Sequence, residues 1–456
     1  MTRSPFVLLV AAGALGLLLA PRPAAGDPPK RTLAELIAIA RQRAPTVAAA
    51  EAQVDIRKWQ RSGAIRNWLP SGELRGVLTL STPITCYPST EFCEKTNIAN
   101  VAQWQGISGV AGEINLTLTQ PLYTFGKIEH GTRAAEHGIE VEKQRVEIAR
   151  AETELNVARA YWGLKGSRTA LATAVDARDQ LAAWVKKIED DLDLDKPKYN
   201  FNINDLQRLK VGVSQIDLVV ADMTRNAGIA FNGLRAAVGE YSEIDDAELE
   251  PVEIVERPLE YYQRAALDAR PEIKALAAGV KARTELARFR RAEMLPDLAV
   301  VGTVGYRGAM GVEEPQNAFL NHLNPGLVWG GALAVRQPMD LFVRHARLEE
   351  AHAETRALLA QQQLALTGIG FEIAQAWENL GEARRRLDAA DRGQRTARGW
   401  LTAVQQNIDL GTAEARDLVD AARSYYELRL RFYQAIYDVN LNVFVLRKAA
   451  AVEVAK

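Results

Sequence analysis

The chain is written twice. Leu33 to Pro70 realigns on Leu259 to Pro296 at a constant offset of 226, with Pro45 falling on Pro271 and Leu69-Pro70 on Leu295-Pro296. Gln120-Pro121 matches Gln337-Pro338 at an offset of 217. The stripe Leu206, Leu209, Val213, Ile216, Val220, Met223 matches Leu418, Ala421, Tyr425, Leu428, Phe432, Ala435 at 212. Solenoid units span about 20–50 residues, so this period marks a duplicated half-protein. The first repeat runs over 27–238 and the second over 259–448. The acidic, proline-containing segment 239–258 links them, and 449–456 is left as a tail.

Each half has the same four parts. A helix comes first, Thr32 to Trp68 in one half and Leu259 to Met294 in the other. Each is predicted to run unbroken to its Leu-Pro, because proline lacks the N–H and clashes with the preceding turn. Two alternating strands follow. Leu74, Gly76, Leu78 and Leu80 alternate with Glu73, Arg75, Val77 and Thr79, and Ile114, Leu116 and Leu118 return against Asn115, Thr117 and Thr119. This predicts a hairpin over 71–122. Its counterpart over 297–338 carries Leu298, Val300, Gly302, Val304 and Tyr306, then Trp329, Gly331, Leu333 and Val335. Strands of about ten residues suit the tilted crossing of a membrane barrel. One such hairpin alone reads better as part of a soluble sheet. Two in equivalent places, with Trp68, Tyr123, Tyr306 and Trp329 near strand ends, favour the barrel, since amphipathic rings suit the membrane interface.

The fourth part is a helical hairpin, over 127–238 and again over 344–448. The outgoing arms, Lys127 to about Glu189 and Arg344 to about Asn407, contain no proline. Sixty-odd helical residues reach roughly 90 Å at about 1.5 Å each. The returning arms are Asn204 to Val238 and Thr412 to Leu446. In the last, Leu418, Ala421, Tyr425, Leu428, Phe432, Ala435, Val439, Asn442 and Leu446 step by three and four, a period that predicts left-handed supercoiling. Helices this long cannot cover their stripes in a compact domain. Four strands are too few to close a barrel. Both facts predict a homo-oligomer.

The first 26 residues read as a secretory signal. Arg3 opens it, Phe6 to Ala20 is apolar, and Ala24 and Gly26 supply the small residues before a cut at Asp27. The apolar stretch is shorter than the roughly 20 residues of an anchoring helix. Basic residues number 56 against 57 acidic, so nothing draws nucleic acid electrostatically. The two cysteines, Cys86 and Cys93, share one polar loop. In an exported chain they suggest a disulfide closing that loop, with two free thiols as the other reading. No catalytic constellation is legible. His345, Glu349 and His352 share a helical face without zinc-protease spacing, and Gly302, Gly305 and Gly308 sit in a strand. No enzyme activity, metal or cofactor is expected.

Three features carry a family resemblance. The first is Leu116-Thr-Leu-Thr-Gln-Pro-Leu-Tyr-Thr-Phe-Gly126 with its copy Leu333-Ala-Val-Arg-Gln-Pro338. The second is Ala158-Arg-Ala-Tyr161 before Leu164, copied as Ala374-Gln-Ala-Trp377 before Leu380. The third is Leu410-Gly-Thr-Ala-Glu-Ala-Arg-Asp-Leu-Val-Asp420. In this order they resemble the TolC family of outer-membrane efflux and secretion channels. The resemblance implies an α+β membrane protein in which each chain gives four β-strands to a shared trimeric 12-stranded β-barrel. A long α-helical coiled-coil barrel continues it into the periplasm, closed at the tip and opened by untwisting of helix pairs. The implied role is the passive exit duct of a tripartite efflux or type I secretion system. The implied partners are a homotrimer, a periplasmic adaptor, an inner-membrane pump and outer-membrane lipid. A soluble periplasmic coiled-coil adaptor or structural protein is the alternative.

The resemblance also assigns residues. Asp417 and Asp420 match the family's acidic constriction rings. Without it, they read as solvated acids at a helix start, where the helix dipole favours negative charge. The family's gate-locking tyrosine and arginine are replaced by Ile408 and Ala413, which leaves Arg416 and Arg423 as candidates for a closing network. Asp205 matches Asp417, but Arg208 stands where the second acid is expected. Gly411 suits a tight turn between helices. Gly411, Asp205 and Arg416 are candidate adaptor contacts. Asp190, Asp191, Asp193 and Asp195 form an acidic first tip, read as solvated or as a docking point for a cation or adaptor.

Overall fold

The computed structural model describes residues 30–81, 109–194, 199, 201–239, 243–245, 248–309 and 326–454. The signal-like start and the Cys86–Cys93 pairing lie outside them. The elements follow the duplication. The first repeat has α1 (Leu33–Arg43), α2 (Pro45–Arg66), β2 (Ser71–Ser81), β3 (Gly109–Tyr123), α3 (Lys127–Leu192) and α4 (Ile203–Val238). The second has α5 (Leu259–Ala269), α6 (Pro271–Ala292), β5 (Asp297–Ala309), β6 (Gly326–Arg336), α7 (Leu341–Asp409) and α8 (Ala415–Ala450). Two short strands, β1 (Lys30–Arg31) and β4 (Glu243–Ile244), pair in parallel and tie the chain start to the linker.

The expected single helix at the head of each repeat is instead two helices. Ala44 leaves the helical region at φ −60° and ψ 131°, and Arg270 does so at φ −61° and ψ 126°. Each precedes the proline that opens the next helix. The proline ring excludes the α conformation from the residue before it, while its fixed φ suits a first helical position. Helix α8 also continues through Ala450, two residues into the expected tail.

The four long strands form one antiparallel sheet in the order β2-β3-β5-β6. The register aligns Leu74, Leu116, Val304 and Trp329 across all four, and Gly76, Ile114, Tyr306 and Leu327 beside them. Directly opposed residues project from the same face. One face is therefore apolar except at Gln120, beside the helical end of the sheet, and it is bare: Leu78 is 83% exposed and Trp329 77%. The other face carries rows such as Glu73, Thr117, Thr303 and Gly330. Strands β2 and β6 each keep one unpaired edge within the chain.

Helices α3 and α7, 66 and 69 residues long, extend away from the sheet to about 100 Å. Three large apolar clusters hold them, and a smaller one sets Val47 and Val54 of α2 on Val146 of α3. Two are repeat-related and lie mid-length. One joins Leu36 and Ala40 of α1 to Tyr161, Leu164, Leu234 and Val238. The other joins Tyr262 and Ala266 of α5 to Ile373, Leu380, Val439 and Leu446. The third lies at the far tip. On α8 the 3.5-residue stripe holds at Leu418, Ala421, Ala435, Val439 and Leu446. It departs at Tyr425, where Tyr426 is buried instead, and at Asn442, where Asn440 is, while Leu428 and Phe432 are only half-buried. The covered face is wider than one seam because α8 packs against both α7 and α3. Asn440 is also claimed by the linker: it accepts from the Val252 N–H and donates to the Glu250 carbonyl.

Candidate functional site at the helical tip

Both helical hairpins end in one packed tip. Leu181, Ile188, Leu206 and Leu209 of the first meet Leu401, Val404, Ile408 and Leu418 of the second. The α7–α8 turn depends on Gly411, which sits at φ 75°, a conformation that disfavours any side chain. Its N–H donates to the Ile408 carbonyl at 2.9 Å, and Thr412 closes on Asn407 at the same distance. Gly411 is thus first a structural residue.

Asp205 and Asp417 occupy the same place in their repeats. Asp417 accepts from the Glu414 N–H at 3.2 Å, and Asp205 accepts from the Asn202 N–H at 3.2 Å. Each satisfies an otherwise unpaired donor at a helix start. The second acid, Asp420, is exposed and lies 3.8 Å from Arg416. Asp417 is exposed as well, one turn away on the same helical face. The equivalent of Asp420 is Arg208, which approaches Asp205 at 3.7 Å.

Among the acids of the first tip, Asp190 and Asp193 are exposed and Asp195 lies outside the described residues. Asp191 is not a solvated acid. It is buried and accepts from the Tyr199 N–H at 3.0 Å, shaping the loop between α3 and α4.

Near the tip, two polar links among the described residues join one hairpin to the other, and the sequence indicated neither. At the end of the tip, Lys187 donates to Asp409 at 2.8 Å and Tyr199 donates to the same oxygen at 3.3 Å. Lys187 also lies over the rings of Trp184 and Tyr199, at 4.2 and 4.8 Å from their centres. Partial burial disfavours its charge, but the bonds to Asp409 and Tyr199 outweigh this and raise its pKa. Further up, Asp176 of α3 accepts from Tyr426 at 3.3 Å and from Arg429 at 3.0 Å, both on α8. Burial, and then the Asp176 charge, push the Tyr426 hydroxyl well above its ordinary pKa. Arg416 and Arg423 make neither link. Arg416 reaches Asp420, and Arg423 lines a cleft between the hairpins. That cleft, about 220 Å³, has walls of Leu181, Trp184, Ile216, Leu401, Leu418 and Tyr426. Its lining offers apolar packing and a few polar side chains, not a catalytic set.

Residues 263–452 match the family described as outer membrane efflux protein. No curated protein matches the chain. Several solved structures share its fold. The outer membrane protein VceC of Vibrio cholerae is 17% identical with a TM-score of 0.70, covering 92% of this chain and 96% of its own. The CmeC outer membrane channel of Campylobacter jejuni is 14% identical with a TM-score of 0.72, covering 93% and 86%. The open state of the MtrE outer membrane channel of Neisseria gonorrhoeae is 18% identical with a TM-score of 0.70, covering 92% and 88%.

Proposed function

We propose that this chain belongs to the outer membrane efflux protein family, whose model matches residues 263–452, and is one protomer of a trimeric outer-membrane duct. One observation carries the reading: the four-stranded sheet has a broad apolar exposed face, a more polar opposite face and two edges unpaired within the chain. In lipid each unsatisfied backbone group costs several kcal/mol, so such a sheet must close. Strand β6 of one copy meets β2 of the next in antiparallel sense, and three four-stranded sheets make an even-numbered barrel. Its apolar face meets lipid, and its polar face lines the lumen. The helical hairpins continue the lumen into the periplasm.

The gate lies at the tip. Any swing of the α7–α8 pair away from α3–α4 must break Lys187–Asp409 and the bonds from Tyr426 and Arg429 to Asp176. Threefold symmetry turns Asp417 and Asp420 into rings of three carboxylates, which favour cations at the constriction. The duct performs no covalent chemistry. A periplasmic adaptor and an inner-membrane pump deliver cargo, with Gly411, Asp205 and Arg416 at the exposed end where an adaptor docks.

Purified protein in planar bilayers tests this. Asp417→Ala with Asp420→Ala is expected to weaken block by divalent cations, and unchanged block would overturn the ring. Recovery of the mature protein wholly in the soluble periplasmic fraction would overturn the duct.

A further inference from the structure

The polar face of the sheet carries two exposed arginines. Arg75 of β2 lies on the face of Glu73, and Arg336 of β6 on that of Gly330. Among the described residues neither makes a hydrogen bond or an ion pair. Asp297 stands directly opposite Arg336 in the β5–β6 register, but Lys127 of α3 reaches both of its oxygens at 2.7 Å. Arg336 also opens onto a cavity of about 500 Å³, walled by Thr119, Thr124, Lys127, Ile128 and Phe289.

The duplication fixes where the two arginines meet. At the offsets of 226 and 217, the β2–β3 pair Ser71–Thr119 maps onto the β5–β6 pair Asp297–Arg336, so both hairpins keep one register. Strand β3 pairs with β5 through Thr119 and Val301. Their repeat counterparts are Arg336 and Arg75. When β6 of one copy meets β2 of the next as β3 meets β5, Arg336 stands directly opposite Arg75 of the next copy. Opposed side chains have Cβ atoms about 4.5–5.5 Å apart, and like charges there repel. The neighbouring pairs do not cancel this. On the side away from the helices, Ala334 opposes Val77, the counterparts of Thr117 and Thr303. On the helical side, Glu73 lies diagonal to Arg336 and offsets one of the two charges. One positive charge per copy is left, and threefold symmetry makes it a ring.

We infer that the lumen holds an anion site at each seam between copies, built from Arg336 of one and Arg75 of the next, for a phosphate, sulfate or carboxylate group. Planar guanidinium forks suit oxyanions because each offers paired N–H donors to paired oxygens. A bound anion removes the repulsion between the arginines. The apolar walls that Ile128 and Phe289 give the adjoining cavity accept the hydrocarbon part of an organic anion. The duct then carries carboxylates at its tip, Asp417 and Asp420, and arginines where the helices give way to the barrel. Cations are favoured at the first and anions at the second. This site rests on the trimeric duct reading above.

Single-channel recording on the mature trimer tests it. Inorganic pyrophosphate added on the barrel side should reduce conductance, and Arg75→Gln with Arg336→Gln should weaken that block about tenfold. The same pair should move the reversal potential in a KCl gradient toward cation preference. Arg336→Lys keeps the charge and loses the fork, so it should keep the wild-type reversal potential and bind pyrophosphate less well. Double-variant trimers, verified by light scattering, with unchanged block and unchanged reversal potential would overturn the site and leave the duct standing. A wild-type channel that pyrophosphate does not block would do the same. If the double variant fails to assemble, Arg336→Lys decides through the block alone. Wild-type protein that forms no channel would overturn the duct itself.

Discussion

Lys187 and Asp409 stand 222 residues apart and meet at 2.8 Å, tying the tip of the first helical hairpin to that of the second. Their side chains are 39% and 51% exposed, so the pair contributes little to fold stability, about 0–1 kcal/mol. A contact this small suits a latch, since a released energy of about 1 kcal/mol shifts a two-state balance roughly fivefold.

Lys187→Met or Asp409→Asn should therefore raise the open fraction of single channels by roughly two- to fivefold with little change in melting temperature. Because Lys187 has a raised pKa, its contribution is fully present below its ordinary 10.5 and fades as pH rises beyond it. An open fraction that does not change in either variant would exclude the latch.

The second link, at Asp176, is expected to add to the first. Tyr426→Phe removes one hydrogen bond, worth about 1 kcal/mol, and Asp176→Ala removes both contacts to α8. Combined with Asp409→Asn, either should open the channel further. A double variant no more open than Asp409→Asn alone would show that the Asp176 link does not restrain the hairpins.

Glu285 makes the α3–α6 seam sensitive to acid. Burial raises its pKa, but the bond to His130 and the charges of Arg288, His130 and Arg133 prevail and hold it below 4.5. A depressed carboxyl stabilises the fold fully above its unfolded pKa, and that contribution is lost as pH falls below it. Urea midpoints of the wild-type protein should drop below pH 4.5 more than those of Glu285→Gln. Parallel curves would contradict the assignment.

Leu418 is 1% exposed in the tip cluster. Leu418→Ala should destabilise the tip by about 2–5 kcal/mol. Hydrogen exchange should rise in α7 and α8 near the turn and remain slow around Tyr262 and Leu446, where a separate cluster holds the helices. Uniform acceleration along α8 would show the clusters to be one cooperative unit.

Much of this fold could be read from residue order. Alternation at Leu74 and Leu116, and at Val304 and Trp329, placed both hairpins, because period two is a local property of a strand. The long helices were legible for the same reason. The breaks at Ala44 and Arg270 were missed although the prolines were aligned, since a proline reads equally as a stop or as a first turn. Asp417 was legible as an acid near a turn. Its bond to the Glu414 N–H needed backbone coordinates. Asp191 read as solvated because burial of a charged residue depends on what the loop folds over, here Tyr199.

The sequence by itself determined the duplication, the strand and helix periods and the turn at Gly411. Each follows from chemistry within a few residues, or from a self-alignment that needs no coordinates. Only the tertiary structure decided which distant side chains meet: Lys187 with Asp409, Asp176 with Tyr426 and Arg429, His130 with Glu285. Those pairings depend on how two hairpins twist around each other over tens of ångströms. A rotation of one residue, about 100° around a helix, would give each a different partner.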